Sequence, residues 1–203
     1  MTVARAILFA PGAGAPSTSE WMLAWAARLA SVGEVTRMDY AYALAGKKRP
    51  DPTARLVATH AAALEAMQQA APAGARSVLA GKSMGSRMGC HVAVQAPARV
   101  DALVCFGYPL RSAQTGALRD EVLRALRTPI LFVQGTRDPL CPLADLADVR
   151  AGMRAPNELF VVETGDHSLQ VTAAHRKAAS VTQGEVDSRI MDAVSSFLQS
   201  YAP

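Results

Sequence analysis

Short apolar runs alternate with amphipathic stretches of helix length along the whole chain. That alternation predicts repeated strand–helix–strand units and a parallel sheet covered by helices. The first strand is expected at about Arg5 to Ala10 and runs into the loop Pro11-Gly12-Ala13-Gly14-Ala15-Pro16. A helix follows at about Glu20 to Val32, capped by Ser17, Thr18 or Ser19, with Trp21, Leu23, Trp25 and Leu29 among its apolar positions. The second strand, about Glu34 to Asp39, ends at a polar loop holding Gly46-Lys47-Lys48-Arg49-Pro50. A solvated loop is the expected role of that basic run. An alanine-rich helix is expected from Thr53 to Gln69, with Leu56, Leu64 and Met67 facing inward.

Strand three, Ser77 to Ala80, leads straight into Gly81-Lys82-Ser83-Met84-Gly85, and a helix from Met84 to Gln95 stops before Pro97. Strand four is expected at Ala102 to Phe106, then a helix near Leu118 to Leu126. Strand five covers Ile130 to Gln134 and precedes a helix near Leu143 to Met153. Strand six, Leu159 to Glu163, is separated by a polar stretch, Thr172 to Gly184, from a last helix at Val186 to Leu198.

The chain has 203 residues, of which 50% are hydrophobic and 19% charged, which fits one globular domain over residues 1–203. No internal repeat or linker divides it. The net charge is +4, but lysines and arginines are scattered, which argues against a nucleic-acid partner. Cys90, Cys105 and Cys141 form neither a metal-ligand spacing nor an even framework, as expected in a reducing compartment. The run after Arg5 is too short for a signal peptide and is broken by Pro11-Gly12. No stretch approaches the ~18 apolar residues of a membrane span. A soluble, cytoplasmic protein is the expectation.

Candidate chemistry changes the picture most at Gly81-Lys82-Ser83-Met84-Gly85. Gly-x-Ser-x-Gly between a strand and a helix has the layout of a nucleophile elbow, a sharp turn that exposes a serine hydroxyl. Side chains two positions either side of the serine would collide, and glycine removes them. The alternative is a glycine-rich turn with a bystander serine. Functional groups of parallel sheets sit after the carboxyl ends of strands. Asp138 follows strand five and His167 follows strand six, so Ser83, Asp138 and His167 occur in an order known for serine triads. A histidine would take the serine proton, and a carboxylate would fix its tautomer. Backbone N–H groups of Met84 and Ala13 are the expected oxyanion donors.

Each position has rivals. His60 and His91 lie inside helices, whereas His175, in the polar stretch, remains open as the base. Asp166 is too close in sequence to His167 to bond its ring. Asp145 and Asp148 read as helix-surface charges, and Asp39 lies on the far side of the expected site. Cys141 lies near the acid loop but lacks an elbow, so packing is its default role.

The segments Gly81-Lys82-Ser83-Met84-Gly85-Ser86-Arg87, Gly107-Tyr108-Pro109-Leu110, Leu118-Arg119-Asp120-Glu121, Pro129-Ile130-Leu131-Phe132-Val133 and Asp166-His167-Ser168 resemble small α/β-hydrolases related to dienelactone hydrolase. The nearest branch is the one containing the testis-expressed hydrolase-like protein and its bacterial relatives. The resemblance covers nearly the whole chain. It implies the α/β-hydrolase fold and carries the triad onto Ser83, Asp138 and His167. Two departures accompany it. Dienelactone hydrolase uses a cysteine where this chain has Ser83, so its substrate does not transfer. The loop after strand one reads Pro11-Gly12-Ala13-Gly14 where many relatives carry His-Gly, which affects the oxyanion hole.

The expected fold is therefore α/β, a mostly parallel six-stranded sheet in order 2-1-3-4-5-6 with helices on both faces and no cap domain. The expected function is a serine hydrolase acting on an ester, thioester or related acyl bond of a small molecule, with no metal or organic cofactor. The alternative is a catalytically idle interaction module that keeps the fold. Without a cap, short acyl groups are expected to be favoured. Lys82, Arg111 and Arg137 are basic residues placed to favour an acidic substrate. Acyl group, leaving group and oligomeric state are not encoded legibly.

Overall fold

Alternate side chains of each central strand point to opposite faces of a sheet, and here both sets are apolar. Leu8, Leu79, Leu103 and Phe132 enter one core, whereas Ile7, Phe9, Val78 and Val104 enter the other. A sheet buried on both faces must be covered by helices on both, which is the parallel α/β arrangement. The computed structural model describes residues 4–203. Strands β1 (Arg5–Ala10), β2 (Glu34–Arg37), β3 (Arg76–Lys82), β4 (Ala102–Phe106), β5 (Ile130–Gly135) and β6 (Asn157–Val162) form one sheet. Their order is β2-β1-β3-β4-β5-β6, and every neighbouring pair is parallel. The order is the one expected, and "mostly parallel" becomes wholly parallel.

Helices α1 (Glu20–Leu29) and α8 (Gln183–Tyr201) cover one face through Met22, Trp25, Ile190 and Phe197. The other face is covered by α3 (Thr53–Ala70), α4 (Met84–Gln95), α5 (Glu121–Ala125) and α6 (Leu143–Ala151). Two further helices, α2 (Ala41–Leu44) and α7 (Ala173–Ala179), lie where the sequence suggested only polar loop. Between β4 and β5 the single helix is α5, and no separate lid covers the strand ends among the described residues.

Element ends depart from expectation for local reasons. Strand β2 stops at Arg37 because Asp39 turns away to accept hydrogen bonds from Ser17 N and Ser17 Oγ, both at 2.7 Å. Helix α5 begins at Glu121, not Leu118, because Leu118 forms an antiparallel bridge with Arg111. Helix α8 begins at Gln183, ahead of Val186, because Thr182 and Glu185 form a reciprocal capping box. Among the described residues, no helix is long and apolar enough to cross a membrane.

Candidate active site

Ser83 is the residue between β3 and α4, and its backbone has φ 50° and ψ −114°. A non-glycine residue in that region stores about 1–3 kcal/mol and persists only when its surroundings force it. The surroundings are the glycines. A Cβ on Gly81 would lie 2.3 Å from Ser86 N, and one on Gly85 would lie 2.3 Å from Ala10 O. The strand and helix ends can approach only because both side chains are missing. Ser83 N donates to Phe106 O at 3.0 Å, and Ser86 Oγ donates to Gly81 O at 2.5 Å, which closes the turn.

His167 follows β6 in the turn 164–170. Asp166 builds that turn, accepting from Ser168 N at 2.7 Å and Gln170 N at 3.0 Å. The turn directs His167 at the serine. His167 Nε2 lies 2.8 Å from Ser83 Oγ, and His167 Nδ1 lies 2.7 Å from Asp138 Oδ2. Asp138 is 3% exposed, whereas the His167 side chain keeps 27%. Two further donors hold the carboxylate: Gln134 Nε2 on Oδ2 at 2.5 Å and Leu140 N on Oδ1 at 2.9 Å. The structure thus brings Ser83, His167 and Asp138 into one hydrogen-bonded chain. His175 is elsewhere, in α7, where its backbone N–H donates to Thr172 Oγ1 at 3.2 Å.

The N–H groups of Met84, at the start of α4, and of Ala13, after β1, make no backbone hydrogen bond among the described residues. Tyr42 Oη donates to Ala13 O at 3.1 Å and fixes the loop that carries the second of them. Residues 3–199 match the family model of the alpha/beta hydrolase domain. The chain belongs to the alpha/beta hydrolase family.

Solved structures agree in fold. Dienelactone hydrolase from Anabaena variabilis is 17% identical, with a TM-score of 0.70 over 98% of this chain and 87% of that one. Est1E from Butyrivibrio proteoclasticus, solved with ferulic acid bound, is 14% identical, with a TM-score of 0.69 over 98% and 90%. An alpha-beta serine hydrolase homologue from Coxiella burnetii is 17% identical, with a TM-score of 0.70 over 92% and 85%.

In this alpha/beta hydrolase two clefts meet at Ser83 and Ala13. One, of about 310 Å³, is lined by Trp21, Met22, Lys82, His167 and Ser168. The other, of about 360 Å³, is lined by Met84, Met88, Arg87, Arg119 and Gln114. Lys82 belongs to the first. Its Nζ donates to His167 O and lies 5.3 Å from the centre of the Trp21 ring. Trp21 Nε1 donates to Ser168 O at 3.0 Å, so lysine and tryptophan together hold the histidine turn. Burial pushes the Lys82 ammonium down to about 8, against the opposing charges of Asp138 and Asp166.

Sequence reasoning missed Gln134, Tyr42 and Trp21 as supports of the site. Gln134 had a signal, an amide closing the apolar run Ile130-Leu131-Phe132-Val133 four residues before Asp138, and the structure buries it fully. Tyr42 had none, because its partner is a backbone carbonyl 29 positions away. Of the basic residues expected to attract an acidic substrate, Arg111 is paired with Asp145 at 2.5 Å and Lys82 is committed to the histidine turn.

Proposed function

We propose that the protein is a serine hydrolase that cleaves an ester, thioester or related acyl bond through an acyl-Ser83 intermediate. The observation that carries this reading is the continuous chain Ser83 Oγ–His167 Nε2 at 2.8 Å and His167 Nδ1–Asp138 Oδ2 at 2.7 Å. A serine hydroxyl attacks poorly unless a base takes its proton, and a hydrogen bond of this length is within reach for that transfer. Ser83 Oγ bonds to the carbonyl carbon while its proton moves to His167 Nε2. Asp138 holds the Nδ1 proton and stabilises the imidazolium. The carbonyl oxygen becomes an oxyanion that the N–H groups of Met84 and Ala13 would receive, with the dipole of α4 aimed the same way. The bond to the leaving atom breaks as His167 returns its proton to that atom. Water then attacks the acyl-enzyme by the same route and releases the acid.

The test is a fluorophosphonate probe with the adduct mapped by mass spectrometry. Labelling at Ser83, absent in Ser83→Ala, is the expected result. A folded protein that takes no label, or takes it at Ser86, refutes the reading and leaves the idle interaction module.

A further inference from the structure

We propose that Arg87 and Arg119 form a carboxylate subsite for the acyl part of the substrate, so that the preferred substrate is the half-ester of a short dicarboxylic acid. The inference rests on the serine-hydrolase reading only for deciding which cleft holds which half. His167 must hand a proton to the leaving atom, so the leaving group occupies the cleft that His167 lines, against Trp21 and Met22. The acyl part then extends into the other cleft, the one that holds both arginines.

Neither Arg87 nor Arg119 has a carboxylate partner in the ion pairs among the described residues. Arg87 is half-buried, and its Nε is buried without a hydrogen-bond partner. Arg119 Nη2 is fixed by Pro109 O at 3.1 Å and Arg111 O at 2.8 Å, which orients the guanidinium beside the cleft. Desolvation and the neighbouring Arg87 charge both push the Arg119 pKa down. Two like charges, partly desolvated and facing one cavity, are relieved by an anion that bridges them. A carboxylate suits guanidinium geometry and makes charge-assisted hydrogen bonds. The one acidic residue on the lining, Asp51, lies 3.6 Å from the exposed Arg55 Nε, beyond hydrogen-bond distance, and its Oδ2 is buried without a hydrogen-bond donor, so one carboxylate stands against the cations of the cleft. The basic loop at Lys47, Lys48 and Arg49 borders an adjoining hollow that shares Asp51 and Gln114 with the cleft, which adds positive potential at its mouth. A cleft of about 360 Å³ has room for the acyl chain of a short dicarboxylic acid.

The experiment compares monobenzyl adipate with benzyl hexanoate, esters of equal chain length that differ in the distal carboxylate. Calorimetry on Ser83→Ala reads binding without turnover, and benzyl alcohol release by the native protein reads kcat/KM. The half-ester is expected to bind and react roughly tenfold to a hundredfold better. That ratio should fall towards one in Arg87→Gln and Arg119→Gln, and in the native protein as salt is raised, a measurement that needs no altered arginine. Equal binding of the two esters overturns the subsite, as does a preference that survives both arginine substitutions. A binding preference without hydrolysis of either ester supports the subsite and refutes the serine-hydrolase mechanism instead.

Discussion

Replacing Gly85 with alanine tests how the elbow is held. The added Cβ would lie 2.3 Å from Ala10 O, 2.7 Å from Ala10 C and 2.8 Å from Pro11 O. Carbon and carbonyl oxygen normally approach to about 3.3 Å, so the shortest contact is short by roughly 1 Å. Every clashing atom is backbone, so no side chain can rotate away. Either α4 or the loop after β1 must move, and that loop carries Ala13. Overpacking of this kind costs about 1–3 kcal/mol, and rigid neighbours put it at the upper end. In a domain of this size, about 3 kcal/mol lowers Tm by roughly 6–12 °C. A displacement near 1 Å at a reacting centre costs about 10²-fold in turnover. Calorimetry and ester hydrolysis should therefore fall together. Gly14→Ala is the matched control for stability, because its Cβ would meet nothing within 4 Å. If Gly85→Ala melts with the native protein and retains its kcat/KM, the elbow is not held by this contact and the argument fails.

Lys82 gives a pH signature with opposite signs. Burial lowers its pKa to about 8 from the usual 10.5, so between those values the unfolded chain binds more protons and folding stability rises with pH. The gain, relative to Lys82→Met, should approach about 3 kcal/mol, read from Tm across that window. Activity should fall over the same window, because the neutral amine holds His167 O less firmly; a flat alkaline limb would contradict this role. Asp138→Asn should cost about 10³–10⁴-fold in kcat, since an amide cannot hold the required imidazole tautomer, and near-native turnover would rule out Asp138 as the orienting acid. Tyr42→Phe removes the hydrogen bond to Ala13 O and should lower stability by only about 0.5–1.5 kcal/mol while reducing kcat more than it raises KM. Across p-nitrophenyl esters of two to sixteen carbons, kcat/KM should peak at short chains; a steady rise would mean a longer acyl channel than the capless fold provides.

Much of the fold was legible because burial on both faces turns strands such as Ile7-Leu8-Phe9-Ala10 into unbroken apolar runs. The three groups of the hydrogen-bonded chain were legible because strand ends, and the glycines beside Ser83, leave local marks. What escaped was set by distant partners. Helix α7 hid in a polar stretch, since its cap comes from Thr172 and none of its residues is buried. The shift of α5 depends on the bridge between Leu118 and Arg111, beside which Arg119 reaches back to the carbonyls of Pro109 and Arg111, and no periodicity reveals it. The same reach sets Arg119 apart from Arg111 and Arg137, the arginines named from the sequence for an acidic substrate. The capping box Thr182-Gln183-Gly184-Glu185 was written in the sequence but masked by Gly184, a residue that argues against helix.

The contacts that hold Ser83 in its strained turn all come from the chain up to Phe106: Gly81, Ser86, Gly85 against Ala10, and Ser83 N on Phe106 O. His167 is 84 residues downstream of the serine, in the turn after β6, the strand at the far edge of the sheet. Strands β3 to β6 are laid down side by side in chain order, so the sheet can grow outward one strand at a time. During refolding, the elbow can thus close while His167 is still disordered. Far-ultraviolet circular dichroism should recover ahead of fluorophosphonate reactivity, and the lag would time the docking of β6. A polypeptide emerging from the ribosome would likewise carry a finished turn before β6 is in place and, on the serine-hydrolase reading, no activated serine until His167 docks.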